Sequence, residues 1–360
     1  MSLNATCALI CERGMALRVG VVRDDRYLLH QPGLVHPERP DRLKGIYKML
    51  DADFDGRLLT IPPELATLEQ LELVHSPNYV RKVLKTAERT FTNLAPDTAA
   101  SSQSYLAAYL AVGGCIKGFQ ALLSGRCDVC FAFIRPPGHH AQRNRAGGFC
   151  LFNNLAVTAR YAMARHGLRS ILIVDWDIHH GNGIQDIFYE EKEVLYFSTH
   201  FRGWYLQTGD WEEAGEGEGL GYTVNVLLPK DVTDDDMLCL YSRTLEPIVT
   251  RYRPEAILIA AGFDAHHLDP LGKTQLTEKC FGGLTQLLLE LWDAAARPPL
   301  LLALEGGYDV TALVACVKEV MDVLTATGPG SRSSWPVSEK GLELFEKACH
   351  IHRQFGVWID

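Results

Sequence analysis

The chain has 360 residues, 47% hydrophobic and 22% charged, the balance of an ordinary globular protein and a size at which an α/β chain forms one unit around one large core. Its net charge of −9 argues against broad binding to nucleic acid or to an anionic membrane. No stretch approaches the roughly 20 uninterrupted apolar residues of a membrane span.

The N-terminus lacks a basic leader, and Glu12 and Arg13 break its short apolar run, so no signal peptide is read and a cytoplasmic location is expected. The first predicted strand covers 17–22. A helix follows over 102–123, a strand over 129–134, a helix over 152–166 and a strand over 170–175. Strands over 194–198 and 223–228 precede a helix over 233–252, where Thr233 and Asp236 resemble a capping box and Pro247 is expected to kink the axis. A strand over 256–261, a helix over 277–294, a strand over 299–304 and a helix over 310–325 complete the alternation. The segment TGPGSRSSWP, residues 327–336, reads as a flexible connection to an amphipathic helix over 337–355 packed on the same domain. The strand runs lack polar alternation, as expected of strands covered on both faces, and the strand–helix–strand repeat predicts a mostly parallel sheet with helices on both faces. The expected organisation is a single domain over 1–360 with its core over about 17–325. Ten cysteines are scattered singly, the pattern of reduced, mostly buried thiols. Cys127 and Cys130 form a CxxC pair, but they enter the apolar run VCFAFI and read as core residues.

Four predicted strands end in polar motifs: RPPGHH (135–140), DWDIHHGN (175–182), AGFDAH (261–266) and LEGGYD (304–309). Ligands and catalytic groups collect at the carboxyl ends of parallel strands, so four such ends predict one shared site. An extended chain would turn Asp175, Asp177 and His179 to one side. Asp177 and His179 with Asp264 would then make a two-carboxylate, one-imidazole set with an open position for water, the mark of a catalytic metal site. His139 and His140, held after a Pro-Pro-Gly turn, are the proton handlers, with Asp175 and Asn182 as acceptors that fix their tautomers. Tyr308 follows a strand on Gly306 and Gly307, where its hydroxyl can donate to a developing oxyanion. His266, His267 and the acidic loop 212–218 read as solvated rim residues.

The ordered set HPERPDRL, RPPGHHA, GGFCLFNN, VDWDIHHGNG, a Ser-Thr-His strand end, GFDAH…DPLG and LEGGYD resembles the zinc-dependent histone deacetylase superfamily, in its class II and bacterial acyl-lysine deacylase branch. The resemblance implies the arginase–deacetylase fold, a single α/β domain, and one zinc ion on Asp177, His179 and Asp264. It makes His140 the general base and acid, His139 its electrostatic partner, Tyr308 the oxyanion donor, and Asp175 and Asn182 the groups that orient the histidines. It places Gly148, Phe149 and Tyr205 along an acyl-lysine tunnel, Leu271 and Asp97 at its rim, and Arg39 in an internal product channel. It further implies potassium near the zinc, held by Asp175, Asp177, His179, Ser198 and the Thr199 carbonyl, and a second monovalent site at Phe188, Glu191, Val194 and Tyr222.

The implied activity is hydrolysis of N6-acyl-lysine in proteins or peptides. Two departures bear on the substrate. The usual aromatic-Pro-Gly-Thr-Gly loop reads Tyr205-Leu206-Gln207-Thr208-Gly209, and Leu271 stands where polyamine-selective relatives place an acidic gatekeeper. An acetylpolyamine amidohydrolase and a catalytically inactive acyl-lysine reader are the alternatives. The absence of a basic tail or added domain suggests, by analogy, a bacterial cytoplasmic enzyme.

Overall fold

The computed structural model describes residues 16–203, 207–326 and 334–360. In chain order the elements begin with β1 (Val19–Val22), α1 (Asp41–Asp53), β2 (Leu58–Ile61), α2 (Leu68–Glu72), α3 (Pro77–Leu84), β3 (Phe91–Ala95), β4 (Thr98–Ser101), α4 (Ser104–Leu123) and β5 (Val129–Ala132). There follow α5 (Asn154–His166), β6 (Ile171–Asp175), α6 (Asn182–Phe188), β7 (Val194–His200), β8 (Thr223–Leu227), α7 (Asp234–Tyr252) and β9 (Ala256–Ala261). The chain ends with α8 (Glu278–Ala294), β10 (Leu300–Leu304), α9 (Val310–Leu324) and α10 (Glu339–His352).

Eight strands form one sheet in the order β2-β1-β5-β10-β9-β6-β7-β8, and every neighbouring pair is parallel. Strands β6, β9 and β10 are buried at every position, which requires cover on both faces and explains why their sequences carry no polar alternation. All seven predicted strands are present, with β7 extending two residues further, to His200. The expected repeat misses the stretch from α1 to β4 and the short helix α6. Edge strand β2 is half exposed, and β3 with β4 forms a separate antiparallel hairpin, so neither carries the apolar run of a buried parallel strand.

Helix α4 corrects the reading that nothing approaches a membrane span. It is long and apolar enough, with a mean hydropathy of 1.5, although Lys117 and Gln120 interrupt it. It serves as a core helix, with 78% of its apolar window buried against the sheet and α5. Helix α7 opens on the expected capping box, Asp236 Oδ2 accepting from Thr233 N at 2.9 Å, and runs on through Pro247. Helix α10 packs along α7, where Ser338 Oγ donates to Asp236 Oδ1 at 2.7 Å and Lys340 pairs with Asp231 at 2.8 Å. The eight described cysteines are free and buried, Cys127 and Cys130 among them. Glu12, Arg13 and residues 327–333 of the expected connection lie outside the described residues.

Candidate metal and proton-transfer site

Strands β5, β10, β9 and β6 lie side by side in the sheet, and they are the four whose ends carry the polar motifs. Their carboxyl ends therefore open on one crevice, as the motif pattern requires. Ligand atoms of Asp177, His179 and Asp264 all lie within 4.8 Å of one another. His179 Nδ1 sits 3.2 Å from Asp177 Oδ1 and 2.9 Å from Asp264 Oδ2.

The three do not meet through period-two alternation, because β6 ends at Asp175 and the chain then bends. Carboxylates hold the bends. Asp175 Oδ1 accepts from Asp177 N at 3.2 Å, Asp177 Oδ1 from His179 N at 2.9 Å, and Asp264 Oδ1 from Ile178 N at 3.1 Å. Gly306 closes the crevice from β10, donating to Asp177 Oδ2 at 2.8 Å. A Cβ at Gly306 would fall 2.1 Å from Asp264 Oδ2, so the glycine is required by the cluster itself.

Asp177 and Asp264 are 1% and 0% exposed. Burial and the neighbouring Asp177 push the Asp264 carboxyl up to about 7. Burial works against a charged His179, yet Asp264 and Asp177 hold it well above the usual imidazole range. Two buried carboxylates sharing one imidazole fit a divalent cation with oxygen and nitrogen preference, which would neutralise the repulsion they otherwise carry.

Beside this cluster the two histidine rings lie tilted at 47° with centroids 3.9 Å apart, each with its own partner. His139 Nδ1 lies 3.1 Å from Asp175 Oδ2, which also accepts from Tyr196 OH at 2.8 Å. His140 Nδ1 lies 2.8 Å from Asn182 Oδ1. Burial favours a neutral His139, but the Asp177 and Asp175 carboxylates outweigh it and raise the imidazole to about 10. Burial and the charge of His139 drive His140 the other way, well below the usual range. The surroundings thus favour the charged form of one imidazole and the neutral form of its neighbour.

Tyr308 packs edge-on against Phe149, ring centroids 5.6 Å apart, and burial and Asp264 raise its hydroxyl well above the usual phenol range. Asp269 places it, accepting from Tyr308 N at 2.5 Å, Asp309 N at 3.1 Å and Leu271 N at 2.9 Å. Arg42 supports the same turn, donating to the Glu305 and Gly307 carbonyls at 2.5 Å with its guanidinium 5.0 Å from the Tyr308 ring centroid.

Arg42 also corrects the expectation for Arg39. The Arg39 side chain is 53% exposed and faces Asp41, whereas Arg42, one helical turn on, is fully buried behind the site. The motif HPERPDRL holds both arginines, and the helical phase of α1, with buried Leu43, Ile46 and Leu50, was the available signal.

The rim is built by loops. Gly148 and Phe149 both adopt left-handed backbone, and a Cβ at Gly148 would sit 2.0 Å from the His140 ring. The hairpin turn between β3 and β4 pins this bend: Asp97 Oδ2 accepts from Gly148 N at 3.1 Å and Thr98 Oγ1 from Phe149 N at 3.0 Å. The bonds offset a left-handed phenylalanine that costs on the order of 1 kcal/mol. His36 packs edge-on against Phe149 with centroids 4.6 Å apart. Leu271 is half-buried beside them, while Tyr205 and Leu206 lie outside the described residues.

Ser198 is the register partner of Asp175, and its Oγ lies 2.9 Å from His200 Nδ1, while Thr199 Oγ1 is 2.8 Å from Tyr241 OH. Around the second expected monovalent site, Phe188 O accepts from Glu191 N at 3.1 Å, Tyr222 O accepts from Tyr196 N at 2.9 Å, and Val194 opens β7. The Glu191 carboxylate there is taken by Arg160 at 2.5 Å. Two rim expectations change. His266 is buried, 3.3 Å from Glu278, and Glu213 is bound inward to Gln185 Nε2 at 2.5 Å and Gly209 N at 2.9 Å. His267 is exposed, as expected.

The model of the histone deacetylase domain family matches residues 36–324. Over 346 residues the chain is 40% identical to histone deacetylase 15 of Arabidopsis thaliana, covering 92% of this chain and 61% of that protein. It is 37% identical over 294 residues to a probable deacetylase of Archaeoglobus fulgidus, covering 81% of each, and 38% identical over 329 residues to polyamine deacetylase HDAC10 of Homo sapiens, covering 86% of this chain and 48% of that one. The chain thus spans about three-fifths of the plant relative and half of the human one. The crystal structure of the HDA15 HD domain superposes with a TM-score of 0.87 at 37% identity, covering 95% of both chains, and shares this single-domain arrangement of a mostly parallel sheet with helices. With its strand-end cluster and these matches, the chain belongs to the histone deacetylase family.

Proposed function

We propose that this protein hydrolyses the N6-acyl amide of lysine side chains in proteins or peptides, as a zinc-dependent deacylase. The observation that carries the reading is the convergence of Asp177, His179 and Asp264 with His140, held on Asn182, and with Tyr308 at adjacent strand ends. Metal ligands, a base and an oxyanion donor together serve amide hydrolysis, and binding alone needs neither of the last two.

A zinc ion held by Asp177, His179 and Asp264 would polarise the acyl carbonyl and acidify a water. With Nδ1–H engaged by Asn182 Oδ1, His140 carries its lone pair on Nε2 and takes the proton shed by the attacking water. The same Nε2–H then passes the proton to the departing lysine amine. His139, held as a cation by Asp175, supports the developing negative charge, and the Tyr308 hydroxyl donates to the oxyanion. Phe149 and Gly148, with Tyr205, would line the channel for the alkyl stem, with Leu271 and Asp97 at its mouth. Asp175, Asp177, His179, Ser198 and Thr199 would hold potassium beneath the metal cluster, and Phe188, Glu191, Val194 and Tyr222 a second such ion. Arg42, in place of Arg39, would line the internal channel for the carboxylate product.

The test is turnover of one substrate panel by the zinc-loaded protein: lysine peptides with acetyl to long-chain acyl groups, beside acetylated polyamines, with Tyr308→Phe as control. Turnover of the peptides, reduced about 10²-fold or more in Tyr308→Phe, is the expected result. Turnover restricted to polyamines, or none, overturns the lysine assignment.

A further inference from the structure

Glu305 is a fully buried carboxylate beside the histidine pair that the proposed mechanism leaves without a task. It is the first residue past β10, and its backbone is tied on both sides, its N–H to Ala261 O on β9 at 3.0 Å and its carbonyl to Arg42. Its side chain reaches across the crevice. There Oε2 accepts from Gly138 N at 2.6 Å and from His139 N at 3.1 Å, the two amides that lead into the histidine pair. The other oxygen, Oε1, has no hydrogen-bond partner among the described residues. Among the described residues its hydrogen bonds go to these two amides and not to Asp177, His179 or Asp264, and it stands outside their cluster, so metal binding does not explain it.

The turn it begins carries the remaining groups of the site. Gly306 N holds Asp177, Gly307 O receives Arg42, and Tyr308 stands three residues after Glu305. Glu305 is therefore the direct link between the strand end that carries the phenol and the strand end that carries both imidazoles. We propose that Glu305 is a positioning residue, whose carboxylate oxygen sets the register of the His139–His140 turn against Tyr308. The proposal rests on the deacylase reading above and assigns the task to the reach of the side chain rather than to its charge. A carboxylate that bonds two successive amides fixes both the height and the tilt of the following rings, and a displacement of about 1 Å in such a ring costs on the order of 10²-fold in rate.

Two variants separate reach from charge in the zinc-loaded protein. Glu305→Asp keeps the charge and withdraws the oxygen by one methylene; Glu305→Gln keeps an acceptor oxygen in place and removes the charge. We expect kcat on an acyl-lysine peptide to fall about 10²-fold in Glu305→Asp and to stay within about fivefold in Glu305→Gln, with KM and zinc content unchanged in both. Spectra of the protein labelled with ¹⁵N-histidine read the same question without turnover. The ring resonances of His139 and His140 should shift in Glu305→Asp and stay near their wild-type positions in Glu305→Gln. Any other ordering of the two variants, or a loss of zinc that accompanies the loss of rate, overturns the proposal. If the wild type turns over no acyl-lysine substrate, the deacylase reading fails, and the histidine spectra still decide the role of Glu305.

Discussion

The buried charges of the metal cluster and those around Glu38, on the other side of the 305–308 turn, are out of balance in opposite senses. Near the metal cluster four carboxylates, Asp175, Asp177, Asp264 and Glu305, face the imidazoles of His139 and His179. Around Glu38 a single carboxylate faces two guanidiniums, with Arg135 at 2.7 Å and Arg42 at 3.2 Å, and the His30 ring at 3.3 Å. Surplus cation is tolerable because arginine has donors to spare, and backbone carbonyls of Tyr27, His30, Glu305 and Gly307 receive them. Surplus carboxylate is met only in part, by the amides of Asp177, Ile178, His179, Gly306, Gly138 and His139, and Asp177 and Asp264 still share one imidazole. The first cluster has the composition of a cation site, whereas the second is satisfied by groups of the chain itself.

Replacing Asp264 with Asn breaks the first cluster and has the largest expected effect. A supporting partner of a metal ligand is worth about 10–100-fold, so loss of the ligand itself should cost roughly 10³-fold in kcat/KM. Zinc affinity should fall with it, read by titration against a competing chelator. The metal-free proteins should order the other way. Burial and Asp177 raise the Asp264 carboxyl to about 7, so stability falls as the pH rises from the usual carboxylate range toward 7, and the full cost of the ionised form is present above it. Metal-free Asp264→Asn should accordingly melt above metal-free wild type at pH 8, and a lower melting point would show that the carboxylates are not in conflict.

The same isosteric change in the second cluster should act on stability alone. Burial would raise the Glu38 carboxyl, but Arg135 and His30 hold it well below the usual carboxylate range. Glu38→Gln leaves two buried guanidiniums under-compensated, at a cost of roughly 3–5 kcal/mol in denaturant unfolding. Because the folded-state carboxyl is lowered, its contribution is complete above the usual carboxylate range and is lost as the pH falls through the lowered value. The gap between variant and wild type should be full at pH 7 and narrow only in acid.

A smaller effect sits between the histidines. Asn182→Asp would set a carboxylate beside His140 and make its imidazole easier to protonate. The base works neutral, so the acid limb of kcat/KM against pH should move upward by about one unit while zinc content stays constant. An unmoved limb would assign it to another group.

How much of this was open to inspection of the sequence differs between the clusters. Asp177, His179, Asp264, the histidine pair with its two partners, and Tyr308 each lie next to an apolar strand run, so local sequence places them at a strand end and topology brings them together. Glu38 and Arg42 share the motif HPERPDRL, which follows no apolar strand run, and Arg135 opens RPPGHH at a strand end with no sign in the sequence that it pairs with them. Arg39 and Arg42 share one motif, but Arg39 precedes α1 and is exposed, while Arg42 falls on the buried face of that helix. Asp269 and Thr98 act through backbone amides, which leave no trace in side-chain type. The capping signals of α2 and α3, Thr67 with Gln70 and Ser76 before Pro77, were readable but belong to helices too short to show a period.

Leu271 offers the finest test, since it lies at the outer edge of the carboxylate-rich side and adds no charge to it. Its backbone N–H is held by Asp269 at 2.9 Å, the residue that also holds Tyr308, so a substitution there changes the side chain at the rim while the turn keeps its anchor. Leu271→Glu would give a cationic polyamine a partner at the mouth. A rim ion pair is worth about 0.2–1 kcal/mol, so the ratio of kcat/KM for an acetylated polyamine to that for an acyl-lysine peptide should rise only about 1.4- to fivefold. The gain should shrink as salt is raised from 0.05 to about 0.5 M, because the Debye length falls below the separation of such groups. A ratio that rises but ignores salt would point to shape rather than charge, and the carboxylate surplus would then be confined to the metal cluster.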